Sequence, residues 1–593
     1  MTELYINGYL SVLPASIEFS IVEDNPFLTK SGEYSLELEL SLREAANAKI
    51  FNHIARFNRK GDQVTLPAIL MAGNRVCMRG TAVILGHTDI SVKIHLLSGN
   101  SELNYFIGAD RKIGDLDLGT ETTITKDRAL DTLDKCFPES NFACAPVIVD
   151  SSYLLNDPYP NYGESVDVTP KNITMMPYLL YYVQKIPGAL GYTVIENQLL
   201  DDEMLCRLYI PHTKAGTLRY NEILAEWTVL DFLSEIEKFC NVVFVIDRET
   251  LLVRIIRNYN RDKNSEKIYI DEIIDEYEAQ YDSENEIETL DYEQVSYALP
   301  SNEYYQYRRL SENVMEKVTL KEYYTYRDLI IDLAPPAANY NKREVYRVKK
   351  YILFGFLHIE ADNYYVIEDV GSNTHAYHIV HQFRDAGEKN GNTIELKIIP
   401  AEMGSSGAMQ APALTAEEKK EENENQGVID LIEAGDDRDD GGADTIPVAI
   451  FVGKIKLNSF DPERNEIVPW SQTDSFVIDK YTERFVYPPE FDEIQWEQIS
   501  EQERNEYIKK ILRYEKFTLR LQGQYGLFET CYSKNKNISS KEIRIIHFIA
   551  KQKISPQNLF VINNREFICI SLETKFNDRG ALPIIEGKFY PVE

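Results

Sequence analysis

The feature that most limits the fold is a period-two alternation of apolar and polar residues that recurs along the chain. It is clearest in SIEFSIVE, where Ile17, Phe19 and Ile21 share a face, and in EYSLELELSL, where Leu36, Leu38 and Leu40 do. Successive side chains of a strand point to opposite faces, so such segments build sheets that bury one side, mostly by antiparallel pairing. RVCMRGTAVILGHTDISVKIHLLSG reads as two or three further strands with Gly80 and Gly86 at turns. RVKKYILFGFLHIE, NYYVIEDV and NTIELKIIP alternate too, and NLFVINNREFICISLETKF reads as a hairpin turning at Asn563–Asn564. Tyrosine (38) outnumbers phenylalanine (25) and tryptophan (3), which suits half-exposed sheet surface better than one thick core. The expected fold class is α+β and β-rich: several domains of antiparallel β-barrel or sandwich, each carrying one helix, plus a small α/β middle domain.

Helical periodicity is confined to short stretches. In SLREAANAKIFNHIARFN, Ser41 and Glu44 read as a capping box; Ala46, Ile50, Ile54 and Phe57 follow at helical spacing and Gly61 closes the segment, predicting a helix over 42–57. TPKNITMMPYLLYYVQKIPGALGYTVIEN predicts a helix from just after Pro170 to Gly188, then a strand. Residues 228–256 form the clearest local unit: Thr228 and Asp231 cap a helix with Leu230, Leu233, Ile236 and Phe239 in one stripe. The apolar strand Val242–Ile246, a DRET turn and a return strand LLVRII complete it. Near the C-terminus Ser500 and Glu503 signal another helix, with Tyr507, Ile508, Ile511 and Tyr514 on one face.

A chain of 593 residues holds roughly three to five domains. The divisions expected are a β domain at 1–110, a middle α+β domain at 111–294, a second β-rich domain at 295–402 and a C-terminal β-rich domain at 446–593. Residues 403–445 contain no aromatic side chain, and 417–440 hold 11 acidic and 3 basic groups. Such a stretch buries too little apolar area to offset its ordering entropy, which predicts an acidic flexible linker or insertion.

Charge and cysteine usage narrow the function. Lys plus Arg is 63 and Asp plus Glu is 95, a net charge of −32, which argues against gripping nucleic acid by its phosphates. Apolar residues at 44% exclude a wholly disordered chain. Residues 271–293 are dense in carboxylates but interrupted by apolar and aromatic residues, which fits a structured acidic surface. Seven cysteines without a CxxC predict reduced, mostly buried thiols. MTELYINGYL lacks a basic leader region, so no signal peptide is expected, and no run of 18 apolar residues predicts a membrane span. The sequons at Asn172 and Asn537 are then coincidental.

Motifs that carry chemistry are scarce. Neither a phosphate-cradling GxxxxGK[ST] nor a GxSxG elbow occurs, and the GSSG at Gly404 falls in the linker. His375, His378 and His381 do not converge at strand or helix spacing. DDRDDG at Asp436 opens like a calcium loop, but Arg438 takes a ligand position and Pro447 stands where the closing glutamate belongs. Cys569 in FICISLE reads as a strand core residue. The expectation is a scaffold with no catalytic, cofactor-binding or metal-binding residues.

Three segments carry a family resemblance. The opening, INGYLSVLPASIEFSIVEDNPFLTKSGEYSLELELSLREAANAKIFNHIARFN, resembles the start of tail hub (tail-associated, baseplate hub) proteins of long-tailed bacteriophages, closest to those of Bacteroidetes phages and prophages. Asn25, Pro26, Phe27, Gly32, Asn47, Ile50, Phe51, Ile54 and Arg56 fit that pattern. The ending, ISPQNLFVINNREFICISLETKFNDRGALPIIEGKFYPVE, is similar to their close through Phe560, Cys569, Gly580, Gly587, Phe589 and Tyr590. TVLDFLSEIEKFCNVVFVID is similar to their middle domain. The resemblance implies a homotrimer of tube-like β domains at the tail tip, forming a pseudo-sixfold ring that joins the tail tube to the tip or spike. It implies a virion location after assembly in the host cytoplasm, contacts with tube or distal tail, tape-measure and tip proteins, and passage of DNA without specific binding. No stable membrane insertion is implied. The alternatives are a tail-associated cell-wall or polysaccharide hydrolase and a carbohydrate-binding or adhesion protein.

The linker composition yields a first test. Limited proteolysis is expected to cut between about 405 and 445 and leave two stable pieces. Resistance there would show the acidic segment to be ordered.

Overall fold

The computed structural model describes residues 1–102 (without 29–32, 36 and 59–64), 111–156 and 173–260 with short breaks, and 266–281. It further describes 295–298, parts of 319–380, 394–401, 409–410, parts of 445–479, parts of 519–532, and 542–592 without 551 and 553. The protein is α+β and β-rich. The N-terminal part supplies β1 (Thr2–Ile6), β2 (Tyr9–Leu10), β3 (Glu18–Asp24), β4 (Glu33–Ser35), β5 (Leu38–Ser41), helix α1 (Ala45–Ile50), β6 (Thr65–Ala72), β7 (Arg75–His87) and β8 (Ser91–Ser98). The middle supplies α2 (Leu179–Ala189), β9 (Thr193–Asn197), α3 (Val229–Cys240), β10 (Val242–Ile246) and β11 (Leu252–Arg257). The remaining strands of the largest sheet are β12 (Lys267–Ile270), β13 (Glu278–Tyr281), β14 (Glu542–Ile549), β15 (Leu559–Ile562), β16 (Arg565–Asn577) and β17 (Gly580–Pro591).

One 14-stranded sheet runs β2-β1-β6-β7-β8-β4-β3-β16-β17-β14-β13, with β5 also on β8 and β15 joining β16 to β12. The two ends of the chain meet where β3 pairs antiparallel with β16, in register from Glu18↔Asn577 to Asp24↔Ser571. One core under this sheet gathers Leu4, Ile6, Phe19, Leu40, Leu66, Val92 and Phe576. A second gathers Ile268, Phe548, Phe560, Cys569 and Phe589. A third, larger core lies around α2 and α3 and draws in Ile398, Val448, Phe451, Leu519 and Cys531. Residues 319–323, 345–354, 357–371 and 374–380 make a separate four-stranded sheet.

The alternating segments behave as expected: Ile17, Phe19, Ile21, Leu38 and Leu40 are all buried, while the side chain of Leu36 lies outside the described residues. In the 228–256 unit, Thr228 Oγ1 accepts the Asp231 N–H at 3.0 Å and Asn241 closes α3 in the left-handed conformation. The Asn563–Asn564 hairpin is present, both residues at positive φ (48° and 64°), as the tight turn of a twisted hairpin requires.

Four expectations are corrected. The Ser41–Glu44 capping box does not form, because Ser41 belongs to the β5–β8 ladder opposite Ser91 and α1 begins only at Ala45, behind Glu44. That helix is short: Asn52 and His53 turn to positive φ just after it, which leaves Phe57 fully exposed. Gly80 and Gly86 are not turn residues but interior to β7, and the turn preceding it is Gly73–Asn74, both at positive φ. The helix expected after Pro170 starts at Leu179, since Met176–Pro177 pair with Phe142–Ala143 as strands, and it ends at Ala189. The helix expected over Ser500–Tyr514 and most of the acidic 403–445 segment lie outside the described residues.

The two strand glycines differ in kind. A Cβ on Gly80 would meet the Leu97 carbonyl oxygen at 2.0 Å, whereas one on Gly86, beside a β-bulge, meets nothing within 4 Å. Gly80→Ala is expected to lower stability by about 1–3 kcal/mol through overpacking, and Gly86→Ala to leave it unchanged or raise it by about 0.5–1 kcal/mol. Thermal unfolding midpoints of the two variants check this, and equal effects would contradict the packing account.

Candidate functional site: the seam joining the two ends of the chain

The seam is fixed by polar side chains that sequence alone does not single out as interior. Asn25, at the end of β3, is 1% exposed. Its Nδ2 donates to the carbonyls of Pro556 (3.0 Å) and Cys569 (2.8 Å), its Oδ1 accepts the Phe27 N–H at 3.1 Å, and its own N–H reaches Ile570 O at 2.8 Å. One amide thereby satisfies two carbonyls of the opposite chain end, each worth on the order of 1 kcal/mol and costlier to leave unpaired. Phe19 and Phe576 stack across the same seam with centroids 5.3 Å apart, and the Thr2 N–H reaches Asp578 O at 3.0 Å.

The seam also holds the sheet to the middle of the chain. Phe27 packs against the cluster of Val243, Val245 and Ile256. Asn100, also buried, donates to Phe244 O and accepts the Ile246 N–H at 3.2 Å, so it bonds β10 as a strand edge would. Arg254 donates to Gln557 at 2.8 Å.

Most of the described residues that carry the family resemblance are packing residues. Asn47 is fully buried and clamps the chain before β3: Oδ1 accepts from Val12 N at 2.8 Å, and Nδ2 donates to Val12 O and Ser41 O. Ile50 and Phe51 are buried, Ile54 packs at the edge of the core, and Arg56 is exposed. Phe560, Cys569 and Phe589 are 0% exposed and Tyr590 is buried. Gly580 opens β17 at φ 139°, and a Cβ on Gly587 would enter the Phe589 ring. Gly32 lies outside the described residues.

On the opposite face of the seam strands, pairing aligns Val22, Glu573, Glu586 and His547 in one cross-strand row. Glu573 and Glu586 stand directly opposite, a like-charge pairing that costs stability, and His547 Nε2 sits 3.3 Å from Glu586 Oε2. No sequence signal marks this row, because register creates it. Nearby, Asp271, Glu272, Asp275, Glu276 and Glu278 are exposed, and the Arg544 guanidinium lies over the Tyr277 ring at 4.9 Å. The rest of the acidic 271–293 segment lies outside the described residues.

The described titratable groups are arranged for structure. The seven cysteines form no disulfide; Cys77 and Cys136 are partly buried and the other five buried. Burial pushes the Cys144 and Cys206 thiols up to about 12 and raises Cys569 well above its ordinary range, which keeps them protonated at neutral pH. Among the described residues no group of three or more His, Cys, Asp or Glu is placed to hold a metal, and no helix is long and apolar enough to cross a membrane. His375 and His378 lie in the strand Thr374–Val380; His381 and Asp436 lie outside the described residues.

No family model matches the sequence, and no curated protein matches it. Among solved structures, the chain is similar to the 43 kDa tail protein of prophage MuSo2 from Shewanella oneidensis, at 8% identity over 99% of this chain and 97% of that one, with a TM-score of 0.29. A tail protein from Neisseria meningitidis MC58 aligns at 7% identity over 99% of this chain and 95% of that one, with a TM-score of 0.27.

His212 supplies the pH test. It is buried, its Nε2–H donates to Met175 O at 2.9 Å, and Nδ1 accepts the Lys214 N–H at 3.1 Å, so the neutral ring is fully bonded. Burial lowers its pKa from 6.5 to about 4. The unfolded chain therefore takes up a proton first, and the stabilisation present above pH 6.5 is lost as pH falls through 4, on the order of 3 kcal/mol in all. Unfolding midpoints of wild type and His212→Gln across pH 7 to 4 should converge as the pH falls; parallel curves would refute the assignment.

Proposed function

We propose that this chain is a structural, non-enzymatic component of a bacteriophage tail, at the hub or tip, where copies assemble into a ring, in the simplest form a homotrimer. The ring would join the tail tube, through tube or distal tail and tape-measure proteins, to the tip or spike, and would let DNA pass. The observation that carries this is the seam. The two segments whose residues follow the tail-hub pattern lie at opposite ends of the sequence, yet they are adjoining strands of one sheet, paired from Glu18↔Asn577 to Asp24↔Ser571. Matched residues meet there directly, as Asn25 bonds the Cys569 carbonyl. A resemblance by coincidence would not be expected to converge on one packing unit.

A net charge of −32 supports a passage role, since carboxylates repel phosphate and a polyanion then slides past without adhering. The Glu573–Glu586 row and the exposed carboxylates of 271–278 are the surfaces this role would turn toward DNA.

Light scattering of the full chain across concentration, with negative-stain images, tests the proposal. A species near three times 68.4 kDa that forms rings is the expected result, alone or on co-expression with neighbouring tail proteins. A chain that stays monomeric in both settings overturns it. Clearing on a peptidoglycan or glycan zymogram, lost on mutating one carboxylate, would move the assignment to a hydrolase.

A further inference from the structure

Cys136 and Cys206 stand far apart in the sequence, but the fold brings their backbones into contact: the Phe137 N–H donates to the Cys206 carbonyl at 3.1 Å. In a trans peptide the Cα of residue 136 lies on the same side as that N–H, so the bond lengths together with the direction of the hydrogen bond hold the two Cα atoms within about 7 Å. Disulfides span roughly 4.4–6.8 Å between Cα atoms. We propose that Cys136 and Cys206 form an oxidisable pair, a modification site at which a small-molecule disulfide introduces an intramolecular cross-link.

Both sides of the pair are held in place. Cys206 sits in the 3-10 turn Leu205–Arg207; its N–H reaches Asp202 O at 3.1 Å, and the Asp202 carboxylate accepts from Met204 N at 3.0 Å and Leu205 N at 3.3 Å. On the other side, the Ser140 N–H bonds the Cys136 carbonyl at 3.0 Å, and the Tyr178 hydroxyl bonds the preceding Lys135 carbonyl at 2.8 Å. The thiols are unequal in access. Cys136 is half-buried, whereas Cys206 is 4% exposed, with Sγ donating to Leu200 O at 3.6 Å. Burial is the largest cause raising both thiols above their ordinary range. Few thiolates exist at neutral pH in consequence, so the pair stays reduced unless an exchange partner is in excess.

That difference in access orders the chemistry. The Cys136 thiolate attacks one sulfur of oxidised glutathione, the reagent's S–S bond breaks, and one glutathione thiolate leaves, giving a mixed disulfide. Cys206 then loses its proton and attacks Cys136 Sγ, and the second glutathione leaves. Two protein thiols are oxidised and one glutathione disulfide is reduced to two thiols. The pairing is independent of any role in a tail.

The test uses the full-length folded chain, incubated with excess oxidised glutathione at mildly alkaline pH, alkylated, digested and mapped by mass spectrometry. Two of the seven free thiols should be lost, their peptides joined as 136–206, with a raised unfolding midpoint that dithiothreitol reverses. In Cys136→Ser, Cys206 should remain fully alkylated. Both thiols still alkylated in the wild type, a persistent glutathione adduct on Cys136, or a link from Cys136 to Cys144 would each overturn the pairing. The wild-type map decides even where the variant misfolds.

Discussion

The antiparallel pairing of β3 with β16 is the interaction on which the rest of the structure depends. It turns two sheets from opposite chain ends into one and places Phe576 in the N-terminal core against Phe19. Without it, β3 and β16 would each present an unpaired edge, with main-chain donors and acceptors to satisfy elsewhere. Long-range closure of this kind costs loop entropy before any contact offsets it. The buried amide of Asn25, bonding two carbonyls of the opposite strand region, helps to fix its register.

Buried asparagines recur as the fastening device. Asn47 ties the residues before β3 to the end of β5, and Asn100 caps the β10 edge. An asparagine side chain offers both donor and acceptor in a short, stiff frame, so it can stand in for a missing strand neighbour. Replacing one leaves carbonyls unpaired in the interior, which is why these positions constrain the fold more than an apolar contact of equal size.

Among the described residues, packing keeps several buried titratable groups neutral. His212 has both ring nitrogens bonded in the neutral form, and the buried thiols are held protonated by desolvation. Arg207, Glu235 and Arg257 are buried charges, and toward the surface register sets Glu573 beside Glu586 despite their repulsion. That arrangement is unfavourable for the isolated sheet.

Local elements were legible in the sequence wherever short-range chemistry decides them. The alternating faces of β3 and β5, the Thr228 cap and the Asn563–Asn564 turn follow from side-chain period, one hydroxyl and two positive-φ residues. Reading failed where pairing overrode local signals: Ser41 is drawn into a ladder instead of capping a helix, and Gly80 serves a close strand approach, not a turn. The site was legible only as a list of matched residues. That they converge on one seam, that Glu573 faces Glu586, and that Cys136 lies against Cys206 depend on contacts between residues far apart in the chain. The sequence by itself determined the β-rich class, the acidic surface and the local caps and turns, because composition and period act over a few residues. Only the tertiary structure decided strand order and register, because these follow from long-range pairing that no local pattern encodes.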